Sequence, residues 1–147
     1  MTRKKWSALL FGIYCALMLW LLYGQRIGQG NGGLYWQELR GNLLLKPLDT
    51  IRRFSWVLRH SSNAGQIRHA VVNLVGNVIM FVPLGFFVPI LWKRTEKFSF
   101  HFLTMTAIIL AVELLQLFTL LGTCDVDDLL LNLVGTTLGF GLWKLSR

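Results

Sequence analysis

The sequence predicts an all-α integral membrane bundle of four transmembrane helices. Three observations carry this: a mean hydropathy of +0.52, 54% apolar against 15% charged residues, and four apolar runs near the ~20-residue length that crosses about 30 Å of hydrocarbon. The runs cover residues 6–23, 71–92, 98–121 and 129–143, the last slightly short. None shows the period-two alternation of a membrane barrel, and helices satisfy their own backbone groups in lipid. At 147 residues, with no internal repeat or low-complexity tract, residues 1–147 read as a single domain.

The first run follows Arg3, Lys4 and Lys5. It reads as a retained anchor rather than a signal peptide, because it is long and only Gly28-Gln29-Gly30 offers a weak cleavage site. Gly12-Ile13-Tyr14-Cys15 has a tyrosine where a lipoprotein box wants a small residue. A long first connection, residues 24–70, follows. Its Gly28-Gln29-Gly30-Asn31-Gly32-Gly33 matches a dinucleotide fingerprint in form only, since it follows a membrane span and opens no βαβ unit. Farther on, Asp49 is placed to cap a short interfacial helix with Ile51, Phe54 and Leu58 on one face and Arg52, Arg53 and Arg59 elsewhere. A solvated loop is the alternative. In the second run Pro83, Gly85 and Pro89 predict a kink that opens a cavity. Its Met80, Phe81, Phe86, Phe87 and Trp92 read as packing or lipid-facing residues.

The formal charge is +8 and the pI about 10.1. The 15 Lys and Arg fall between the apolar runs rather than in a block, which points to lipid head groups and excludes nucleic acid as the partner. Three stand in the N-terminal tail, seven in the first connection, three between runs two and three, none between runs three and four and two at the C-terminus. The tally across the membrane is therefore eight against seven. The seven are spread over a long loop, however, whereas the tail and the Lys93-Arg94-Thr95-Glu96-Lys97 turn abut their spans. Both termini are placed in the cytoplasm and the first connection outside.

That direction sets the depth of the intramembrane polar residues, at about 1.5 Å per residue from each outer end. Asn73 and Asn77 lie about 3 and 9 Å inside, Glu113 and Gln116 about 12 and 8 Å, Asp128 at the boundary and Asn132 about 5 Å in. All fall in the outer half. Asn73 and Asn77 are four apart, Glu113 and Gln116 three apart, and Asp125, Asp128 and Asn132 recur at i, i+3, i+7, so each set shares a helix face. A carboxylate in the membrane costs about 2.5–3.5 kcal/mol on insertion scales, so Glu113 needs a partner, a wet cavity or a proton. Asn73, Asn77, Glu113, Gln116, Asp125, Asp128 and Asn132 are the predicted ligand-binding set, with Glu113 and Asp128 the candidate catalytic acids. The competing reading for Asn77 and Gln116 is helix packing, as it is for the small-residue face of Gly135 and Gly139. Asp127 reads as a solvated helix-start acid.

No zinc motif or helical His-x-x-x-His pair is present, so no metal or cofactor is expected. His60 and His101 lie away from the acids in the sequence, and only His69 falls where it can approach them. Cys15 and Cys124 suggest no disulfide framework, and no Gly-x-Ser-x-Gly nucleophile occurs.

At the polar residues the chain resembles the VanZ-like family. Asn73-Leu74-Val75-Gly76-Asn77 through Phe81-Val82-Pro83-Leu84-Gly85-Phe86 is similar to its N-x-x-x-N-x-x-x-F-x-P-L-G-F signature. Glu113-Leu114-Leu115-Gln116 is similar to its E-x-x-Q, and Asp125-Val126-Asp127-Asp128 with Asn132 and Gly135 to its D-[IV]-D-D-x-x-x-N-x-x-G. Asn42 and Pro47-Leu48-Asp49-Thr50-Ile51 echo a looser N-L-x-P-F-x-T-I. The resemblance spans residues 42–141 and departs where the family commonly carries an arginine before the Asp motif, here Gly122-Thr123-Cys124. A carboxylate partner or anionic-ligand contact is then missing unless Arg68 or an arginine of the first connection supplies it. The resemblance implies a four-span bacterial cell-envelope protein, of a family named for a member that confers low-level resistance to teicoplanin, a lipid-tailed glycopeptide.

The expected function is non-enzymatic: an outer-leaflet pocket that binds the polar head of an amphiphile, a lipid-linked wall precursor or a lipoglycopeptide, among membrane lipids. The alternatives are an intramembrane hydrolase or transferase with Glu113 or Asp128 as general base, a proton-linked transporter, and a structural subunit held through Gly135 and Gly139. Oligomerisation stays open.

Overall fold

A computed structural model describes residues 3–24 and 34–147. The glycine-rich segment 28–33 and the Gly28-Gln29-Gly30 cleavage motif lie outside the described residues. Among the described residues six α-helices follow in order: α1 (Arg3–Leu19, continued by a π turn, Trp20–Gly24), α2 (Tyr35–Gly41), α3 (Asp49–His60), α4 (Ala64–Leu91), α5 (Phe98–Phe118) and α6 (Val126–Leu145). Two two-residue strands, β1 (Leu43–Leu44) and β2 (Cys124–Asp125), pair in parallel, Leu43 with Cys124 and Leu44 with Asp125.

Three helical stretches, Lys5–Gly24, Ala64–Leu91 and Phe98–Phe118, are long and apolar enough to cross a membrane. With the family evidence below, they make this a membrane protein. The fourth predicted run forms α6, whose 20 residues span about 30 Å. Its apolar stretch is shortened by Asp127 and Asp128 in the first turn and Lys144 in the last. α4, which carries the second predicted run, starts at Ala64, seven residues before that run, because the Asn63 side chain caps it by accepting from the N–H groups of Gly65 and Gln66 at 2.9 and 3.2 Å.

α4 and α6 form the centre and pack on each other more extensively than any other pair. The predicted packing glycines are the reason. A Cβ at Gly139 would collide with the Val82 carbonyl and Phe86 nitrogen, one at Gly135 with the Val78 carbonyl, and one at Gly85 with the Thr136 carbonyl across the crossing. Backbones approach this closely where a glycine on one side leaves room for the backbone of the other. That face is filled by the chain's own α4, so it offers no surface to another subunit.

Around this pair lie α1 and α3 against α4, and α5 against α6. The buried core comprises Met18, Phe81, Leu84, Val88, Met105 and Ile109. Trp6, Leu9, Leu10 and Ile13 of α1 face outward, as a lipid-facing helix requires. The chain's three tyrosines fasten the N-terminal part to the bundle. Tyr14 donates to the Met80 carbonyl at 2.8 Å, Tyr23 to Val112 at 3.2 Å and Tyr35 to Phe118 at 3.0 Å. The Tyr14 bond falls beside Pro83, whose missing N–H interrupts the α4 ladder. The opposite end is closed by an Arg147–Glu96 ion pair at 2.9 Å.

Candidate functional site

Where α1, α4, α5 and α6 meet, a cleft of about 970 Å³ opens. Six of the seven predicted ligand-binding residues line it: Asn73 and Asn77 from α4, Glu113 and Gln116 from α5, and Asp128 and Asn132 from α6. Leu17, Met18, Leu21 and Leu22 of α1 form the apolar wall opposite. The cleft therefore has one polar and one greasy side. His69 also lines it, set edge-on against Phe54 of α3 with ring centroids 5.4 Å apart.

Two amide–carboxylate pairs organise the polar side. Asn77 Nδ2 donates to Asp128 Oδ1 at 2.5 Å, joining α4 to α6. Asn132 Nδ2 donates to Glu113 Oε1 at 3.4 Å, joining α6 to α5, and the Asp125 N–H reaches Glu113 Oε2 at 3.3 Å. Glu113 is 3% exposed and Asn132 2%. The helical spacing of the sequence accounts for this, since Asp128 and Asn132 lie one turn apart on a face that meets α4 first and α5 next.

The other two acids do something else. Asp125 is buried outside the cleft, its Oδ1 accepting the Asp127 N–H at 2.9 Å as the α6 cap and its Oδ2 accepting the Thr50 hydroxyl at 2.7 Å. Asp127, expected to be solvated, has no exposure at all. Its two oxygens take the backbone N–H groups of Leu48 at 2.5 Å and Ile51 at 3.0 Å. These are donors of the first turn of α3, so Asp127 caps that helix from another segment. Asp49 was expected to do so and does not. It pairs with Lys46 at 3.2 Å, and the α3 cap position, Leu48, has no side-chain acceptor of its own.

The α3 helix forms as expected, and Thr50 joins Phe54 against the bundle. Thr50 and Phe54 are the buried residues, while Leu58 is 41% exposed. Leu48 is in the left-handed region at φ 63, costly for a branched residue and stabilised here by the Asp127 contact. The Asn42 carbonyl accepts the Cys124 N–H at 2.8 Å, so Asn42 and Leu48–Ile51 dock together onto residues 124–127. Burial and the nearby Glu113 and Asp125 carboxylates push the Cys124 thiol above its usual range.

Thr50 and Leu48 are the residues that sequence reasoning passed over. Their signal was the looser motif in the first connection, with its threonine one residue after Asp49. No group of three or more metal-ligating side chains is brought together among the described residues. The described ion pairs, Lys46–Asp49 and Glu96–Arg147, lie away from the cleft, and Arg68 is exposed in the second turn of α4.

The sequence profile of the VanZ/LLP1 family matches residues 11–147. Protein VanZ of Enterococcus faecium is 32% identical over 77 residues, which cover 50% of this chain and 45% of that relative. The chain thus aligns with less than half the length of the curated relative it matches. No solved structure matches it.

Proposed function

The chain belongs to the VanZ/LLP1 family, and from that premise we propose that it is a four-span protein of the bacterial cytoplasmic membrane whose cleft binds the polar head of an amphiphile in the outer leaflet. The amphiphile is a lipid-linked wall precursor or a lipoglycopeptide such as teicoplanin, and binding it contributes to resistance. The supporting observation is the two-sided cleft: six polar side chains from three helices face an apolar wall on α1. A head group and its first methylenes would meet matching surfaces there. α6, about 30 Å long, supplies the fourth span.

The charge distribution supports an outward-facing cleft. The end away from it gathers Arg3, Lys4, Lys5, Lys93, Arg94, Lys97, Lys144 and Arg147 against Glu96 alone, hard against the helix ends. At the cleft end, the six cations among the described residues, Arg40, Lys46, Arg52, Arg53, Arg59 and Arg68, are offset by six acids.

The test is teicoplanin susceptibility in a strain that the intact gene protects. Glu113→Ala and Asp128→Ala, at equal membrane levels, are expected to remove the protection. Full protection by both variants would reject the proposal.

A further inference from the structure

The acids of the cleft orient its amides, and that orientation decides what is left for a ligand. Asn132 Nδ2 faces Glu113 Oε1 and Asn77 Nδ2 faces Asp128 Oδ1. In both pairs the acceptor is an acid oxygen, so the amino side of each amide turns toward the acid and its carbonyl side away. Asn132 is 2% exposed, and its Oδ1 has no hydrogen-bond partner. Asn73 Oδ1, also at the cleft, has none either. Buried acceptors without donors are costly and uncommon, so two in one cleft point to a donor supplied from outside the chain. Among the described residues that line the cleft there is no Lys or Arg, so its walls suit a phosphate poorly.

We propose that the group the cleft takes is a primary ammonium rather than a phosphate; this rests on the head-group reading above and narrows it. Ammonium N–H donors would suit the unpartnered Asn73 Oδ1 and Asn132 Oδ1, and the acids of the same wall would offset the positive charge. Such charge-assisted bonds strengthen where water is excluded. An ethanolamine phospholipid head and a free water-soluble amine share this chemistry. The leucine-rich wall on α1 favours the lipid, whose glycerol and upper chains it would cover.

The full chain in detergent is titrated with short-chain phosphatidylethanolamine, phosphatidylcholine and phosphatidylglycerol, with binding read by native mass spectrometry. Phosphatidylcholine keeps the positive charge but has no N–H, and phosphatidylglycerol has hydroxyl donors but no cation. The ethanolamine lipid is expected to bind at least about tenfold more tightly than either. Asn73→Val, at the half-buried rim, is expected to cut that preference below about threefold while the protein stays folded. Competition by free ethanolamine at matching concentration would assign the ammonium to a soluble amine, and its failure to compete to a lipid. Equal affinity for the ethanolamine and choline lipids would overturn the inference yet leave head-group binding standing, as would a preference for phosphatidylglycerol or one untouched by Asn73→Val. Absence of binding by any of the three would remove the head-group reading itself.

Discussion

Asp127 on α6 accepts the backbone N–H of Ile51, 76 residues earlier in the chain, at 3.0 Å, while its other oxygen takes the N–H of Leu48. One fully buried side chain therefore caps α3 and fastens it to the first turn of α6. Asp127→Ala removes the cap and strands two donors, at a cost of about 2–3 kcal/mol. Its expected signature is a lower melting temperature in detergent, together with faster hydrogen exchange in residues 50–60 and unchanged exchange in the middle of α5. Undiminished protection of α3 would contradict this.

Which parts of this arrangement the sequence reveals depends on range. The helices are legible because apolar runs and the Asn-x-x-x-Asn and Glu-x-x-Gln spacings act within one element, where 3.6-residue periodicity fixes the face. The convergence of Asn73, Asn77, Glu113, Gln116, Asp128 and Asn132 on one cleft follows from those faces plus a shared depth. Asp127 and Thr50 were not legible in the same way. Asp127, next to Asp128 at the start of an apolar run, reads as a solvated helix-start acid, and only the fold brings Leu48 and Ile51 onto it. Local capping rules favour Asp49, but they cannot register an acceptor supplied by another segment, which here displaces the local one. The β1–β2 pairing is similarly silent, since two residues on each strand carry no pattern.

Gly139→Ala is expected to disrupt the α4–α6 crossing, because its Cβ meets backbone that cannot move aside, the Val82 carbonyl and Phe86 nitrogen. Overpacking of this kind costs about 1–3 kcal/mol or more. Gly141→Ala, two residues on, has nothing within 4 Å of the added carbon and removes a helix glycine. It should be neutral or stabilising by up to about 1 kcal/mol. Thermal unfolding of the two variants side by side separates backbone contact from helix propensity. Equal stability of the pair would refute the close-packing account.

The Cys124 thiol should react slowly. Burial chiefly, and then the Glu113 and Asp125 carboxylates, raise its pKa from the ordinary 9.0, so less of the reactive thiolate exists at neutral pH. With Cys15→Ser in place, maleimide labelling of the folded protein should keep rising about tenfold per pH unit past the point where the unfolded chain levels off. The stability consequence has a definite sign. Because the folded pKa is the higher one, the contribution is fully present below about pH 9 and is lost as pH rises through the folded value. Labelling that saturates at the same pH in folded and unfolded protein would show the thiol to be unperturbed.

The direction of the cleft is testable in a chain with both cysteines replaced. Ser62, in the exposed turn between α3 and α4, marks the cleft end, and Lys97, exposed before α5, marks the other. Thr95 lies in the same turn as Lys97 but is fully buried, its hydroxyl bonded to the Trp92 carbonyl at 2.6 Å, so a cysteine there would stay silent whichever way the protein faced. A membrane-impermeant maleimide on intact cells is expected to label Ser62→Cys at once and Lys97→Cys only after permeabilisation, because the cation-dense end is retained on the cytoplasmic side. The reverse pattern would turn the cleft toward the inner leaflet. A lipoglycopeptide arriving from outside could not then reach it, and its occupant would have to be a lipid of the cytoplasmic face.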